Sequence, residues 1–218
     1  MCWNKQVSLV TFILAVAGSA YLYQRNLPND RWIAVFAATI AMIQLAEYFM
    51  WSDLSCGKLN TVASAFALSI LALEPLMNMV GGLYFSDTSN KKALTLMLVA
   101  YLVFIGVVYL TQVHRKQITL CGTSTCDIGT PTPSGFLSNK SCNLHWYFMD
   151  SFNGATGLIW MIFLLIPFLA MMPLSQGLIL AGLGVGTFLL AKFSNTAALG
   201  SLWCWFAIGI IGYKIVAK

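Results

Sequence analysis

Three acidic side chains lie inside long apolar stretches of this 218-residue sequence. Each has a neutral amide three or four residues away: Glu47 has Gln44, Glu74 has Asn78, and Asp150 has Asn153. These spacings put both side chains of a pair on one face of a helix. Because an ionisable group is costly in hydrocarbon, we interpret the acids as ligands for a cation or proton, with the amides as neutral partners.

The depths of the acids predict a polar cavity. At 1.5 Å per residue, Glu47 and Asp150 lie roughly 6 Å inside one membrane boundary, and Glu74 lies roughly 18–20 Å inside. His145 precedes Asp150 at the same boundary. We predict a cavity that opens there and narrows toward Glu74, with Asp150 and His145 at its mouth. Structural alternatives are that Asp150 favours the positive end of a helix dipole and that Glu74 is a paired or protonated carboxyl.

Pro75 directly follows Glu74 and has a local consequence. Proline has no backbone N–H, so the carbonyl oxygen of Leu71 should lack its helical donor. We expect the helix to kink beside the acid.

Four cysteines in polar segments are candidates for disulfides: Cys56, Cys121, Cys126 and Cys142. They allow three pairings, which the sequence does not separate. The last three, together with His145, also have the ligand types of a zinc site. We favour disulfides because the cysteines gather on one side of the predicted helices, and we predict no metal site.

Three tryptophans are candidates to line a pocket, namely Trp146, Trp203 and Trp205. Because aromatic residues dominate buried contacts, we favour the interpretation that they pack in an apolar core.

Several chemistries lack the residues they need. A retinal Schiff base requires a lysine inside the last helix, whereas Lys214 lies at its end. Intramembrane zinc or haem sites require several histidines, and only His114 and His145 are present, both at predicted helix ends. Phosphate-binding, nucleophile-elbow and dinucleotide-binding motifs are absent from the sequence. We expect no cofactor and lean against an enzyme.

Membrane helices must position these side chains. The chain is 59% hydrophobic and 9% charged, against roughly 25% charged residues in soluble domains. This excludes a soluble enzyme or a disordered protein, and the net charge of +5 without a basic block excludes nucleic acid as a partner. We predict an all-α fold, in which one transmembrane domain spans residues 1–218 and has a cysteine-containing loop at 114–145. Its seven transmembrane helices are predicted at Val7–Tyr23, Arg31–Trp51, Thr61–Phe85, Ala93–Gln112, Trp146–Met172, Gly177–Phe193 and Thr196–Val216.

The orientation is predicted from the cysteines, since the basic residues divide equally between the two sides. The cysteine loop contains the glycosylation sequon that begins at Asn139. We predict the N-terminus outside and the loop extracytoplasmic, in a plasma membrane, an endomembrane or a viral membrane. The expected partners are the lipid bilayer and a small polar or cationic ligand. Gly182 and Gly186 form a GxxxG pattern, for which we favour internal packing over a homo-oligomer.

The sequence resembles an uncharacterised family of small polytopic membrane proteins from bacteria, algae and large viruses of algae. The resemblance rests on the opening MCW, on IQLAEYFMW at 43–51, on EPLMN at 74–78, and on CGTSTC and LHWYFMDSFN at 121–126 and 144–153. It implies a multi-pass membrane fold and carries no established activity. Members often have glutamine where this chain has Glu74. The motif positions also make candidates of Cys2, Trp3, His145, Trp146 and Asn153.

The sequence thus favours a channel, a transporter or a small-ligand receptor for a cation, a proton or a small polar solute. The first alternative is a structural or accessory subunit of a membrane assembly, which predicts no cavity reaching Glu74. The second alternative is a membrane-embedded enzyme, which predicts a nucleophile within hydrogen-bond reach of His145.

Overall fold

The computed structural model describes residues 4–86, 88, 90–114, 118–126, 142–152, 154–194, 200, 203 and 205–217. This part of the chain contains seven α-helices: α1 (Lys5–Arg25), α2 (Asp30–Met50), α3 (Lys58–Phe85), α4 (Lys91–Val108), α5 (Gly154–Leu165), α6 (Leu174–Ser194) and α7 (Phe206–Val216). Two strands, β1 (Gly122–Ser124) and β2 (Leu144–Trp146), pair in an antiparallel sheet. A π-helical turn (Tyr109–Val113) continues α4, and 3₁₀ turns at Tyr147–Ser151 and Ile166–Ala170 flank α5.

Five of these helices are long and apolar enough to cross a membrane: α1, α2, α3, α4 with its π-helical turn, and α6. α5 and α7 are apolar but shorter. The predicted all-α class is confirmed, and each of the seven predicted apolar stretches overlaps one of the α-helices named above. The architecture is compatible with a multi-pass membrane protein, and we treat the chain as one below.

Asparagines make the turn between α1 and α2. α1 ends at Asn26, where φ is 52°, and α2 begins after Asn29, where φ is 64°. Asparagine adopts this left-handed backbone more readily than other non-glycine residues. The short turn therefore makes α1 and α2 antiparallel neighbours.

α2 lies at the centre of the bundle and contacts α1, α3 and α7. Its buried side chains include Ala34, Ala37 and Ala41, whose small size lets neighbouring helices approach closely. Trp32 packs against α3 at Gly82, where an added Cβ would lie 2.8 Å from the indole ring. A larger residue at position 82 would therefore displace Trp32.

The outer helices expose apolar side chains. On α4, the exposed residues include Leu96, Val99, Leu102, Val103 and Val107. α1 and α6 carry similar exposed faces. A water-soluble monomer seldom exposes such large apolar faces, whereas a bilayer solvates them.

The fifth helix begins later than the sequence predicts. We expected one helix over Trp146–Met172, but α5 begins only at Gly154. The residues before it form β2, in which His145 lies opposite Thr123, and a 3₁₀ turn. α5 ends near Pro167, which cannot supply the N–H that would continue the helix.

The predicted internal packing of Gly182 and Gly186 is wrong. An added Cβ at either position would meet no atom of the described residues within 4 Å. Gly184 is the glycine of this segment that packs inside, against Leu165 and Phe206.

Candidate functional site

Two disulfides connect the segments outside the helices at one end of the bundle. Cys56 is bonded to Cys121, and Cys126 is bonded to Cys142. We call the connected segments the cap: residues 51–57, 118–126 and 142–152. This pairing is one of the three that the sequence allows. A disulfide-bonded sulfur is not a thiolate, so the arrangement excludes a cysteine-ligated zinc site at these residues.

Asn60 joins the cap to α3. Its Nδ2 donates a 2.7 Å hydrogen bond to the carbonyl oxygen of Gly122, and its Oδ1 accepts a 2.8 Å bond from the Gly122 N–H. The same Nδ2 donates to the carbonyl oxygen of Asp53 at 2.8 Å. Because Asn60 is fully buried, these bonds fix the cap on the end of α3.

Asp53 caps the N-terminus of α3. Its carboxylate accepts hydrogen bonds from the Ser55 hydroxyl at 2.8 Å, the Asn60 N–H at 3.2 Å and the Gly57 N–H at 3.3 Å. These bonds favour the charged form and hold the pKa of Asp53 below its usual value. The first turn of α3 thus depends on an ionised carboxylate.

His145 and Asp150 meet on the surface of the cap. Nε2 of His145 lies 3.0 Å from Oδ2 of Asp150, whose side chain is 60% exposed. The predicted position of Asp150 inside the fifth helix is wrong, because the residue lies in the 3₁₀ turn before α5. Their predicted partner Asn153 lies outside the described residues, as do Asn139, Cys2 and Trp3.

The three candidate tryptophans have different surroundings. Trp146 is buried in the cap and stacks on Phe148, with ring centroids 5.5 Å apart. Trp203 is buried in the apolar core, where its Nε1 donates to the carbonyl oxygen of Gly184 at 3.2 Å. Trp205 is exposed. None of the three lines the cleft described below.

Gln44 and Glu47 lie one turn apart on α2, in its half nearer the cap. Both side chains are almost fully buried, so they face the bundle and not the lipid. Both also have interaction partners.

Asn78 links three helices. Its Oδ1 accepts a 2.7 Å hydrogen bond from Nε1 of Trp32 on α2, and its Nδ2 donates a 2.7 Å bond to the carbonyl oxygen of Leu164 on α5. Glu74, one turn earlier, is also buried. Among the described residues no side chain or backbone group donates a hydrogen bond to the Glu74 carboxyl. Asn78 is thus occupied by structural bonds, whereas Glu74 is not.

Glu47 and Glu74 lie at different depths in the bundle. Two hydrogen bonds between α2 and α3 set the antiparallel register, from Asn60 to Met50 and from Trp32 to Asn78. In this register Glu74 is level with Phe36 of α2. Glu47 is eleven residues further along α2, which is roughly 16 Å along the helix axis. A single small cation therefore cannot contact both carboxylates.

A charged network lies at the opposite end of the bundle from the cap. Asp30 is fully buried, and its carboxylate accepts hydrogen bonds from Arg25 at 2.7 and 2.9 Å and from the Leu27 N–H at 3.0 Å. Nζ of Lys214 lies 3.2 Å from Asp30 and donates to the Pro28 carbonyl oxygen at 2.9 Å. We call Arg25, Asp30 and Lys214 the charged end.

The charged end was not predicted from the sequence, since a count of basic residues on each side of the membrane does not show which acids they pair with. The available signal was local: Arg25 and Asp30 flank a short turn between two helices. Lys214 is distant in the chain, and only the fold brings it to Asp30. Because Arg25 and Lys214 both form ion pairs with Asp30, we assign the three charges a structural role.

An apolar cleft of about 510 Å³ lies between α3, α4 and α5, beside the cap. Its walls include Leu68 and Ala72 of α3, Phe104 and Ile105 of α4, and Trp160 of α5. Small-molecule sites typically measure roughly 300–1,000 Å³ and combine an apolar lining with few polar groups. The cleft has this size and composition, and neither Glu47 nor Glu74 lines it.

The inner wall of the cleft contains the carbonyl predicted to lack a helical donor. The Leu71 oxygen accepts a 2.8 Å hydrogen bond from Nε1 of Trp160. Pro75 cannot supply this bond, so the indole replaces the missing helical donor. The bond holds Trp160 against α3, where its ring forms part of the wall.

A polar pair lies beside the cap end of the cleft, and one of its members lines the cleft. Nε2 of Gln112, in the π-helical turn, donates a 2.8 Å hydrogen bond to Oγ1 of Thr156, which lines the cleft. Oε1 of Gln112 is buried and accepts no hydrogen bond from the described residues. Single π-helical turns occur frequently at functional sites. We therefore take the cleft with this pair as the candidate functional site.

Comparison with protein-family models, with curated proteins and with solved structures finds no match for this chain. The resemblance noted from the sequence motifs stays a prediction, and the chemistry of the site is argued from its geometry.

Proposed function

We propose that this multi-pass membrane protein is a receptor or carrier that binds a small apolar or amphipathic ligand in the cleft between α3, α4 and α5. The single observation behind the proposal is the cleft itself, with its volume of about 510 Å³ and its predominantly apolar lining. An unfilled apolar cavity forfeits packing contacts, so a ligand that fills it gains them.

The membrane is the source of ligand that this position favours. The lining residues of α3 and α4 belong to helices long and apolar enough to cross a bilayer. Next to them, Val107 of α4 and Leu110 of the π-helical turn are exposed. A molecule dissolved in the bilayer therefore meets the cleft from the side, without crossing water.

Photolabelling tests the proposal. The protein is reconstituted in phosphatidylcholine liposomes with a long-chain alkyl diazirine, and labelled peptides are mapped by mass spectrometry. We expect saturable labelling of the cleft walls around Leu68–Ala72 and Trp160. Gly157→Leu should weaken it roughly tenfold or more, since overfilling a packed site costs roughly 1–3 kcal/mol.

Gly154→Leu is the matched control. Both glycines belong to α5, and an added Cβ at either meets no described atom within 4 Å, but only Gly157 lines the cleft. Replacing glycine by leucine favours the helix in both variants, so neither should unfold. Equal labelling of the two variants, or labelling that spreads over the lipid-facing helices without saturating, would refute the proposal.

A second candidate function is the binding of a cation or proton by a channel or transporter. It is favoured by the burial of Glu74 without a hydrogen-bond donor among the described residues. The roughly 16 Å between Glu47 and Glu74 makes them separate sites on this proposal. Ion flux into proteoliposomes tests it with Glu47→Gln and Glu74→Gln, and wild-type flux in both variants would remove the two acids from the mechanism.

An accessory subunit and a membrane-embedded enzyme have less support. An accessory subunit needs no ligand, so saturable labelling of the cleft would argue against it. An enzyme would need a nucleophile within hydrogen-bond reach of His145, whose Nε2 lies 3.0 Å from the carboxylate of Asp150. We also infer that the cap faces an oxidising, extracytoplasmic compartment, because it carries two disulfides.

A further inference from the structure

Two aromatic side chains line the same stretch of the cleft from different helices. Phe104 lines it from α4 and Trp160 lines it from α5. Trp160 donates its 2.8 Å hydrogen bond to the Leu71 carbonyl oxygen of α3. Tyr101, one turn before Phe104, donates to the carbonyl oxygen of the next residue, Ala72, at 2.6 Å. These bonds place the two rings within about one helical turn of each other along the cleft.

Both rings are held in place by their neighbours. The indole of Trp160 is fixed by its hydrogen bond and by an edge-on contact with Trp203, with ring centroids 5.5 Å apart. The ring of Phe104 packs on Phe163 at 5.6 Å and on Tyr101 at 6.2 Å. Because these side chains are already ordered, a ligand that contacts them loses little affinity to side-chain ordering.

The cleft is wider than a single alkyl chain requires. The nine residues from Phe104 to Val113 span roughly 13–14 Å, so a volume of about 510 Å³ corresponds to a mean cross-section of about 40 Å². A single extended chain fills a channel only about 4 Å across, since carbon atoms in contact lie roughly 3.5–4.0 Å apart. Small lining residues provide the width, including Ala65 and Ala72 of α3 and Gly157 of α5.

The lining also restricts the chemistry of the ligand. None of the described residues that line the cleft carries a charge. An ionised group bound there would lose its water without gaining a counter-charge. Aromatic rings attract one another in offset-stacked or edge-to-face arrangements, at centroid separations of roughly 4.5–7 Å. A flat, uncharged ring therefore gains contacts here that a saturated ring of the same width does not.

We infer that the ligand of the cleft is an uncharged, bilayer-dissolved molecule with an aromatic ring, which binds between Phe104 and Trp160 against α3. The inference rests on the proposed function, and it adds the chemical class of the ligand and the position of its ring. The aliphatic remainder of the molecule lies toward the cap, where Ile118 and Leu120 line the cleft.

Competition against the alkyl diazirine in phosphatidylcholine liposomes tests the inference on the wild-type protein. Three competitors have the same alkyl tail: one ends in a phenyl ring, the second in a cyclohexyl ring, and the third in a phenyl ring with a sulfonate opposite the tail. Their concentrations in the membrane are measured, so that partitioning does not affect the comparison.

We expect the phenyl compound to displace the diazirine at the lowest membrane concentration. The cyclohexyl compound should require about 2- to 12-fold more for each aromatic contact that it lacks. The sulfonate compound should compete more weakly than the phenyl compound, because its charge is desolvated in the cleft.

Phe104→Leu links the preference to one wall, because leucine is apolar and has no ring. It should reduce the advantage of phenyl over cyclohexyl by about 2- to 12-fold, the effect of one aromatic contact. Phe66→Leu is the matched control, since it makes the same change on α3 at a partly exposed side chain that does not line the cleft. Phe66→Leu should keep the full advantage.

The outcomes separate the two proposals. If phenyl and cyclohexyl compete equally, if the sulfonate competes as well as phenyl, or if Phe104→Leu keeps the full advantage, the inference is overturned and the proposed function stands. If the diazirine does not label the cleft saturably, the proposed function fails and the inference fails with it. The wild-type comparison does not depend on whether any variant folds.

Discussion

Replacing Asp30 by asparagine should destabilise the protein strongly. Asparagine keeps the shape of the side chain but removes the negative charge between Arg25 and Lys214. The Lys214 side chain is 3% exposed and that of Arg25 is 16% exposed, so water cannot fully replace the lost partner. Two cations would then lie close together at the junction of α1, α2 and α7.

The magnitude follows from this burial. Removing one partner of a buried ion pair costs roughly 3–5 kcal/mol. We expect the lower value, roughly 3 kcal/mol, because the partial exposure of Arg25 softens the loss. This corresponds to about a 150-fold change in the folding equilibrium. For a chain of this size it lowers the melting temperature by roughly 6–12 °C.

Thermal unfolding in detergent, followed by far-UV circular dichroism, measures the effect. Asp150→Asn is the control, because it makes the same chemical change at an exposed position. The Asp150 side chain is 60% exposed and pairs with His145. This substitution should change stability by less than about 1 kcal/mol. If Asp30→Asn melts no lower than Asp150→Asn, the charged end does not hold the helices together.

Two further predictions concern single polar side chains. Asn78→Leu leaves the Trp32 indole N–H and the Leu164 carbonyl oxygen buried without the bonds that Asn78 makes to them. It should lower the free energy of unfolding by roughly 2–4 kcal/mol in the same thermal assay. A variant that melts like wild type would contradict the bridging role of Asn78. The pKa of Asp53 is lowered in the folded protein, so its stabilising effect is present above the unfolded pKa and is lost as the pH falls through the folded value. Below about pH 4 the amide protons of Gly57 and Asn60 should exchange faster with solvent, relative to the other amides of α3. Asp53→Asn should abolish this pH dependence. If the pH dependence is unchanged in Asp53→Asn, the Asp53 carboxylate does not cap α3.

Features set by nearby residues could be predicted from the sequence. Apolar stretches of about 20 residues predict helices because the backbone must satisfy its own hydrogen bonds in lipid. The missing donor at the Leu71 carbonyl followed from Pro75 alone. The indole that replaces it, Trp160, is 89 residues away in the chain. The sequence therefore predicted that a donor was needed and could not predict which residue supplies it.

The last residue of β2, Trp146, and the 3₁₀ turn after it were mistaken for the start of a helix. Trp146 and the three residues after it form a continuous apolar run, and short apolar runs do not distinguish strand from helix. What decides the conformation is the pairing with β1 and the disulfide from Cys126 to Cys142. Both are contacts between segments that are distant in the chain.

The charged end could not be predicted for a similar reason. Lys214 reaches the turn before α2 from 186 residues away. Charge counting treats such a lysine as an anchor at the membrane surface, since that is the commonest fate of a basic residue at a helix end. Its burial depends on how α7 packs against α1 and α2, which the spacing of residues within one helix does not report.

The cleft arises from a mismatch in helix length. α3 has 28 residues and α5 has 12, so their lengths are roughly 42 Å and 18 Å. α5 cannot cover the full face of α3, because the chain forms β2 and a 3₁₀ turn before Gly154 and meets Pro167 soon after Leu165. The uncovered face of α3 is apolar, and the aromatic and aliphatic side chains around it cannot close over a gap of this volume. The same two features that shorten α5 therefore create the cavity and place it beside the cap.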